Sequence, residues 1–219
     1  MPPVLRLCED ALADGAALSL PARPRLAFVL HGSIAAGDRA LRDGEAWSGE
    51  DAATFKAGGE GATVWRWELG AAETGGVVAG TGAGIASREK LAARLDTLPQ
   101  GPLLLRGDSV AFPPGGCAYL HRHQGPGIRC LIEGGIRIDT HGRSTSYGPG
   151  GAWYENGPEP VFAQAAADRP TRFIRVMVLP AACLGKSSLE YLNAEDKAKP
   201  KTQQYKVFAD MPLRLATGR

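Results

Sequence analysis

Short apolar runs separated by glycine and proline are the feature of this chain that most limits its fold. Between residues 117 and 179 the runs have the length of strands, and each ends at a turn such as Gly134-Gly135 or Asn156-Gly157-Pro158. Turns at this regular spacing are typical of an all-β sandwich or jelly-roll barrel. Two of the runs, 128–133 and 136–139, are separated only by the two glycines, which predicts a β-hairpin.

Two of the four histidines, His121 and His123, lie in one of these runs. Side chains alternate between the faces of a strand, so residues two apart point to the same side. Neutral imidazole is the commonest protein ligand of metal ions, and a same-face pair can supply half of a first coordination shell. The pair alone is weak evidence, because the same spacing is equally compatible with a surface pair.

The order of the residues around this pair resembles the cupin superfamily. The matching residues are Gly115, His121, His123 and Gly134 for the first cupin motif, and Gly142, Pro149 and Gly151 for the second. The resemblance implies a double-stranded β-helix, that is, a jelly-roll barrel. It also implies a metal site with two His and one Glu from the first motif and one His from the second. Gly127 stands where that Glu is expected, and residues 158–161 contain no histidine, so the four-ligand site is not intact.

The first half of the chain repeats part of the pattern. Residues 30–34 parallel 132–136 at an offset of 102, counted from Gly32 to Gly134, and Trp47 parallels Trp153 at an offset of 106. At the first offset the counterpart of the His pair contains no histidine. The resemblance therefore implies a bicupin-like protein with a degenerate N-terminal cupin and a metal-type C-terminal cupin.

The comparison of the two halves points to a third metal ligand. At the second offset Glu155 lies over Gly49, so the half without the His pair also lacks this carboxylate. In cupins the strand that contains Glu155 runs beside the metal, so the resemblance implies His121, His123 and Glu155 as ligands. Two His with one carboxylate suit a divalent transition ion, with Fe(II) favoured over Mn, Ni or Zn. The alternative is a solvent-facing Glu155 at the end of its strand.

Three further residues are candidates for the site. Glu159 is an alternative ligand, because it lies nearest to the missing second-motif histidine, although it also reads as a loop carboxylate between two prolines. Tyr119 has the parity of the His pair and is a candidate catalytic residue, unless its hydroxyl bonds to backbone in the core. Arg175 is the second catalytic candidate, because an arginine in an apolar strand is almost never buried unpaired. An inter-strand salt bridge is the simpler account of Arg175.

Composition limits the partners. The 219 residues include 25 Lys and Arg against 23 Asp and Glu, with a net charge of +2, so no basic face argues for nucleic acid. No apolar run reaches the roughly 18 residues of a membrane span, and the N-terminus has no signal-peptide pattern. The four cysteines lack Cys-x-x-Cys spacing, which predicts reduced thiols in a cytoplasmic protein. We expect a small-molecule substrate and a homodimer, with no nucleic-acid or membrane partner.

The sequence divides into four predicted parts. Residues 1–84 form the degenerate cupin-like barrel and end in a glycine-rich connector, 75–84. Residues 85–100 form a connecting helix, and 101–183 form the C-terminal barrel with the metal site. Residues 184–219 form a tail that packs on a barrel or on a partner chain.

Two of these assignments depend on periodicity. Ser87 can cap a helix in which Leu91, Leu95 and Leu98 recur at helical spacing. In the tail, apolar alternation over 205–207 predicts a late strand that pairs with a sheet edge of its own chain or of a partner.

Three classes of function remain open. The first is a metal-dependent enzyme, in particular a non-haem iron dioxygenase that acts on a small organic acid or an aromatic compound. The second is a metal-assisted isomerase or lyase, with the ion as Lewis acid and a carboxylate as general base. The third is a non-catalytic, sensory cupin that only binds a small molecule. One fold hosts many functions, and we take the first class as the working hypothesis.

Overall fold

The computed structural model of the chain describes residues 2–71 and 83–214. The chain divides into two compact units, Met1–Asp96 and Thr97–Arg219. Antiparallel strands form nearly all of the regular structure in both units, which confirms the prediction of an all-β chain. Most of the predicted connector, 75–84, lies outside the described residues.

Helical structure in the described part of the chain is short. It consists of one 3-10 turn, Ala181–Cys183, and one α-helix, α1 (Ala194–Ala198). Neither has the length or the apolar character that a membrane crossing requires, and no other described segment forms such a helix. All four cysteines are free thiols.

The N-terminal unit is built from one seven-stranded antiparallel sheet. Its strands are, in chain order, β1 (Val4–Leu12), β2 (Ala17–Leu20), β3 (Arg25–Ala36), β4 (Arg39–Arg42), β5 (Ala46–Gly49), β6 (Ala53–Gly70) and β7 (Ile85–Arg94). The order is β4-β3-β6-β1-β7, with β5 paired to β3 and β2 paired to β6. Apolar side chains of β1, β2, β3, β4 and β6 meet in one core, so the sheet curls around its own interior.

The helix predicted at residues 85–100 is wrong, because most of this segment is strand β7. It pairs with β1 along its whole length. Arg88 and Lys90 of β7 both contact Glu9 of β1, as oppositely charged neighbours across a sheet do. The leucine spacing favours a helix locally, but pairing at the open edge of β1 decides the structure, since strand preference depends on the neighbours that a sheet supplies.

The C-terminal unit consists of two five-stranded antiparallel sheets. Its strands are β8 (Leu103–Phe112), β9 (Cys117–His123), β10 (Gly127–Glu133), β11 (Ile136–Thr140), β12 (Arg143–Tyr147), β13 (Ala152–Glu155), β14 (Val161–Ala165), β15 (Thr171–Pro180), β16 (Leu189–Tyr191) and β17 (Gln204–Pro212). One sheet has the order β13-β10-β15-β8-β17 and the other β12-β11-β14-β9-β16. Apolar residues of both sheets, such as Phe173 and Ile138, share one core.

The glycine pair 134–135 turns the chain from one sheet into the other and does not close a hairpin. β10 pairs with β13 and β15, whereas β11 pairs with β12 and β14. Gly134 has a φ of +85°, and a Cβ atom there would collide with the carbonyl oxygen of Pro170. Only glycine fits this corner. The two strands were therefore predicted correctly, but their pairing was wrong.

The two units share one scheme of strand pairing. Strands β1, β3, β5, β6 and β7 pair with one another as β8, β10, β13, β15 and β17 do. The register agrees as well: Ala27 lies opposite Trp47, and Arg129 lies opposite Trp153. These two pairs have the offsets of 102 and 106 that the internal repeat has in the sequence.

The tail adds two strands to the C-terminal unit. β16 pairs with β9, and β17 pairs with β8. The late strand predicted from residues 205–207 is confirmed, and it pairs with a sheet of its own chain. β17 is the last strand of its sheet, so within the described residues it has a strand neighbour on one side only.

Candidate functional site

The interior of the C-terminal unit contains a small polar cavity of about 20 Å³. Its polar lining comes from strands β9, β10, β13 and β15, and consists of His121, His123, Arg129, Glu155 and Arg175. All five side chains are buried, and the rest of the lining is mostly apolar. A cavity of this volume holds about one water molecule.

His121 is neutral and held in one orientation. Its Nδ1 lies 2.7 Å from the carbonyl oxygen of Tyr119. A ring nitrogen that faces a carbonyl carries the proton, so Nδ1 donates and Nε2 is left as the acceptor. Burial lowers the pKa of His121, although the charge of Glu155 acts in the opposite direction. His121 therefore has the tautomer and the charge that a metal ligand needs.

His123 lies beside His121, with the two ring centres 4.9 Å apart. Its Nδ1 is 3.4 Å from the hydroxyl of Ser188, and its Nε2 lies 3.5 Å from Nη1 of Arg175. The same Nε2 is 3.7 Å from Oε2 of Glu155. Burial, and then the positive charge of Arg175, hold the pKa of His123 well below its usual range. Both histidines line the cavity, as the alternation of the strand predicted.

Glu155 presents one oxygen to the cavity. The indole N–H of Trp153 donates to Oε1 at 2.8 Å, so these two residues face the same way. Oε2 lies 2.8 Å from Nη2 of Arg129, in an ion pair without the alignment of a hydrogen bond. Oε2 thus accepts no hydrogen bond from the described residues. Oε2 is therefore held by charge alone and retains acceptor capacity that faces the cavity.

Gly127 explains why strand β10 carries no carboxylate at the expected motif position. It lies opposite Glu155 of β13 and Met177 of β15. A Cβ atom at residue 127 would collide with the carbonyl oxygen of Val176. Glu155 therefore supplies a carboxylate from the neighbouring strand, directly across from the position where the first cupin motif would have one.

Two buried arginines complete the polar lining. Arg175 donates two hydrogen bonds to Asp108, at 2.7 and 2.9 Å. Arg129 donates to the carbonyl oxygen of Gly127 at 2.7 Å and faces Glu155. Burial lowers the pKa of Arg129 to about 10, so it is still a cation at neutral pH. The two guanidiniums and the two carboxylates balance, and their formal charges sum to zero.

The donor set has the chemistry of a transition-metal site but not its assembled geometry. Two neutral imidazoles and a carboxylate oxygen without a hydrogen bond are ligands that such ions take. Among the described residues, however, no three His, Cys, Asp or Glu side chains are arranged to hold a metal ion. A divalent ion fits this donor set if Arg129 releases Glu155 and an anion balances the added charge, since an uncompensated buried charge is costly.

Tyr119, a predicted catalytic residue, does not line the cavity. Ala118 and His121, three residues apart, stand opposite residues of β14 that are only two apart. This bulge shifts the alternation and turns Tyr119 out of the barrel. Outside, the ammonium group of Lys199 lies 4.6 Å from the centre of the Tyr119 ring. The prediction of a shared face is wrong because it assumed an unbroken strand.

Glu159, the alternative metal ligand, also lies outside the cavity. Its carboxylate is exposed, and Nδ1 of His141 lies 3.9 Å away. Arg175 does line the cavity, and its pairing with Asp108 is the inter-strand salt bridge that the sequence left open. The cavity thus brings together four of the five main predicted site residues, His121, His123, Glu155 and Arg175, and leaves Tyr119 out.

Sequence reasoning missed Arg129 and Asp108. Arg129 is a charged residue inside the apolar run 128–132, and Asp108 lies in the mostly apolar strand β8, which also contains Arg106 and Ser109. The same signal singled out Arg175. Applied to every strand, it would have found all the buried charges of this site, because a charge in an apolar strand needs a partner.

No family model and no curated protein matches this sequence. Solved structures of oxalate decarboxylase from Bacillus subtilis resemble it. A deletion variant aligns with a TM-score of 0.61 and 15% identity, over 89% of this chain and 73% of that chain. A tryptophan-to-phenylalanine variant aligns with a TM-score of 0.63 and 14% identity over the same shares. A further structure comes from a study of the Mn(II) centres of the Bacillus enzyme.

A cupin 2 conserved barrel domain protein from Leptotrichia buccalis aligns with a TM-score of 0.49 and 11% identity, over 81% of this chain and 84% of that chain. At the identities of the decarboxylase structures, the likeness shows the fold. The predicted double-stranded β-helix of cupins is therefore confirmed.

Proposed function

We propose that this chain is a bicupin-like, metal-dependent enzyme of small organic acids, with its site in the C-terminal barrel and a degenerate N-terminal barrel. The observation that carries the proposal is Oε2 of Glu155, a buried carboxylate oxygen that accepts no hydrogen bond and lies 3.7 Å from Nε2 of His123. Its one charged partner is Arg129, whose Nη2 lies 2.8 Å away without the alignment of a hydrogen bond, so the oxygen keeps unused acceptor capacity. A ligand that binds there would use that capacity.

His121, His123 and Glu155 would hold the ion in this proposal. Both histidines are already neutral, because burial lowers the pKa of each, so no proton has to leave before they ligate. When bound, a divalent ion supplies Lewis-acid activation of a substrate oxygen. Arg129, once released from Glu155, pairs with a substrate carboxylate. Arg175 is held in place by Asp108 and adds a second positive charge beside His123.

The charge balance leads to a specific expectation about affinity. The two buried ion pairs, Arg129–Glu155 and Arg175–Asp108, are neutral as they stand. A divalent ion alone would leave two uncompensated positive charges in a buried cavity, which is unfavourable. A dicarboxylate that binds with the ion cancels them. We therefore expect the ion and an anionic substrate to bind together, each strengthening the other.

The ion and the reaction class follow from separate measurements. The Bacillus oxalate decarboxylase has Mn(II) centres, so Mn(II) is the first ion to test, followed by Fe(II), which the donor set also suits. Oxygen uptake with small organic acids and aromatics would identify a dioxygenase. Turnover without oxygen uptake would identify a lyase or an isomerase.

The deciding experiment is a calorimetric titration of the EDTA-treated, untagged full-length protein with Mn(II), in the presence and absence of oxalate. We expect about one ion per chain with oxalate, and markedly weaker binding without it. The variant His121→Ala/His123→Ala should abolish binding. Ser19→Ala, in β2 of the N-terminal unit, is the control and should bind as the wild type does. Full metal occupancy in the double variant would overturn the proposal.

A second candidate is a metal-free cupin that binds a small anion between Arg129 and Arg175. It is favoured by the absence, among the described residues, of any three side chains arranged for a metal. In that case oxalate binds the EDTA-treated protein without help, and added Mn(II) or Fe(II) changes neither its affinity nor its stoichiometry.

A further inference from the structure

A second hollow of the C-terminal unit lies directly outside the inner cavity. This outer cleft has a volume of about 380 Å³ and is lined by residues of β8, β15, β17 and the segment 185–188. Arg175 and Tyr205 line both the outer cleft and the inner cavity. These two side chains are therefore the wall between the two spaces.

Of these two side chains, Tyr205 is the one that can change its conformation. Arg175 is buried and fixed by its two hydrogen bonds to Asp108. Tyr205, by contrast, is 47% exposed and belongs to β17, the edge strand of its sheet. Its ring lies 5.5 Å from the guanidinium carbon of Arg175. A change of side-chain rotamer would move the ring away at the cost of the side-chain contact with Gln203, but without breaking any pairing between strands.

The other approach to the cavity is closed by core residues. A side cleft of about 340 Å³ shares Ile138 and Trp153 with the inner cavity. Both residues are 4% exposed and belong to the hydrophobic core. Trp153 also donates to Glu155 and stacks on Tyr147. Opening this side would disrupt the core, whereas opening at Tyr205 would not.

The outer cleft has the chemistry to receive a small organic anion. Its cations are Arg106, Arg175 and Lys186, and its carboxylates are Asp108 and Asp210. Arg106 is paired with Asp210 and Arg175 with Asp108, so the exposed ammonium of Lys186 gives the cleft its excess positive charge. Among the remaining lining residues, the half-exposed ring of Tyr205 and the methyl groups of Val207 offer an apolar surface.

We propose that the outer cleft is the entrance to the His121 and His123 site, that Tyr205 gates this entrance, and that the ligand which passes is a small, flat organic carboxylate. The inner cavity holds about one water molecule, so no organic ligand reaches the histidines while Tyr205 lies across the opening. The route is a property of the walls and holds whether or not a metal ion binds behind them.

The four histidines of the chain make the route measurable. The side chains of His31 and His141 are 71% and 54% exposed, whereas His121 and His123 are buried. Diethyl pyrocarbonate acylates neutral imidazole. Added to EDTA-treated full-length protein, it should modify the exposed pair quickly and the buried pair slowly, with each site assigned by peptide mass mapping.

Removal of the Tyr205 ring should change only the rate at which the buried histidines are modified. Tyr205→Ala should speed modification of the buried pair about tenfold or more, since less local opening is then required. Tyr205→Phe keeps the ring and should leave the rate unchanged. Val207→Ala is the matched control, because it removes an exposed side chain from the same strand and cleft without touching the inner cavity. If Tyr205→Ala unfolds, Tyr205→Leu makes the same test.

Unchanged rates in Tyr205→Ala, or acceleration in Ile138→Ala instead, would overturn the route. Benzoate tests the ligand class: it should slow modification of the buried pair in the wild type, and Lys186→Gln should weaken that protection, while chloride at equal ionic strength should have no effect. Absence of protection by benzoate would overturn the ligand class. Because the reagent needs no metal, these outcomes are separate from those of the metal titration.

Discussion

In the N-terminal unit, four buried charged side chains form one continuous chain of contacts. Asp10 accepts hydrogen bonds from Arg66 at 2.6 and 3.0 Å. Arg66 also lies 2.8 Å from Glu68, and Arg25 donates to Glu68 at 2.9 Å. Glu68 is thus shared by two guanidiniums, and Asp10 is held by Arg66 at one end of the chain.

In the C-terminal unit the same residue types, two Arg, one Asp and one Glu, form two separate pairs. Glu155 pairs with one guanidinium, that of Arg129, accepts a hydrogen bond from Trp153, and lies 3.7 Å from the ring of His123. The N-terminal barrel has no histidine at the corresponding positions: at the offset of 102, Ser19 and Pro21 correspond to His121 and His123.

The difference separates a structural network from a binding site. A buried carboxylate shared by two arginines has no capacity left for a ligand, so the N-terminal network can only hold strands together. A buried carboxylate with one arginine and two neutral histidines as neighbours retains that capacity. The same pairing scheme therefore supports a fully shared charge network in the N-terminal unit and a charge network that can still bind a ligand in the C-terminal unit.

The largest expected effect comes from breaking the N-terminal charge network. Arg66→Met leaves Asp10 without its buried partner, so the free energy of unfolding should fall by about 3–5 kcal/mol. Urea denaturation measures the change, and added Mn(II) should not reverse it. Arg169→Met, which removes an exposed partner of Asp168, is the control and should change stability by less than about 0.5 kcal/mol. A similar loss in both variants would argue against a special role for the network.

The matching change in the C-terminal unit, removal of Arg129, should give a protein whose stability responds to metal. Arg129→Met leaves Glu155 buried without a cation, so the metal-free protein should lose about 3 kcal/mol. Because the competing positive charge is gone, the freed carboxylate should then bind Mn(II) about tenfold more tightly than in the wild type, even without oxalate. Thermal unfolding with and without Mn(II) measures both effects. The comparison fails if Arg129→Met gains no more from Mn(II) than Arg66→Met does.

Removal of the charge of Glu155 should have a smaller effect. Glu155→Gln keeps the size of the side chain but loses the anionic oxygen, so metal affinity should fall about 10- to 100-fold. Glu159→Gln should be silent, because Glu159 lies outside the cavity. Calorimetric titration of both variants with Mn(II) in the presence of oxalate makes the test. The reverse ranking would move the ligand to Glu159, and two silent variants would leave the carboxylate out of the shell.

The smallest expected effect concerns Glu9 of β1, whose partners Arg88 and Lys90 lie in β7, outside the N-terminal network. Burial alone would raise the pKa of Glu9, but the hydrogen bond from Trp65 and the charge of Lys90 outweigh it and lower the pKa. A lowered folded-state pKa stabilises the fold above the unfolded pKa of 4.5, and this contribution is lost as the pH falls through the folded value.

Glu9→Gln should therefore lower the free energy of unfolding at pH 7 by less than about 1 kcal/mol, because the group is partly exposed and screened. Urea denaturation between pH 3 and about pH 7 should show the difference from the wild type vanishing at the acidic end. Glu89→Gln, in the neighbouring strand, is the control. A difference that persists unchanged to pH 3 would contradict the assignment of its cause to charge.

The sequence by itself determined the all-β class, the internal repeat and the shared face of His121 and His123. Each rests on local chemistry: glycine and proline mark the turns, and the period of two assigns side chains to faces. The offset that placed Glu155 over Gly49 also needed no structure, because both residues lie at the same place in a repeated register.

Only the tertiary structure decided which strands pair and which charges meet. The segment after Ser87 is helical by its leucine spacing but becomes β7, because β1 offers an open edge. A bulge in β9, invisible to alternation, turns Tyr119 out of the barrel. The state of Glu155 depends on Arg129, and that of His123 on Arg175, in strands far away in sequence. Pairing between distant segments sets these contacts, and the sequence pattern of each strand contains no record of its neighbour.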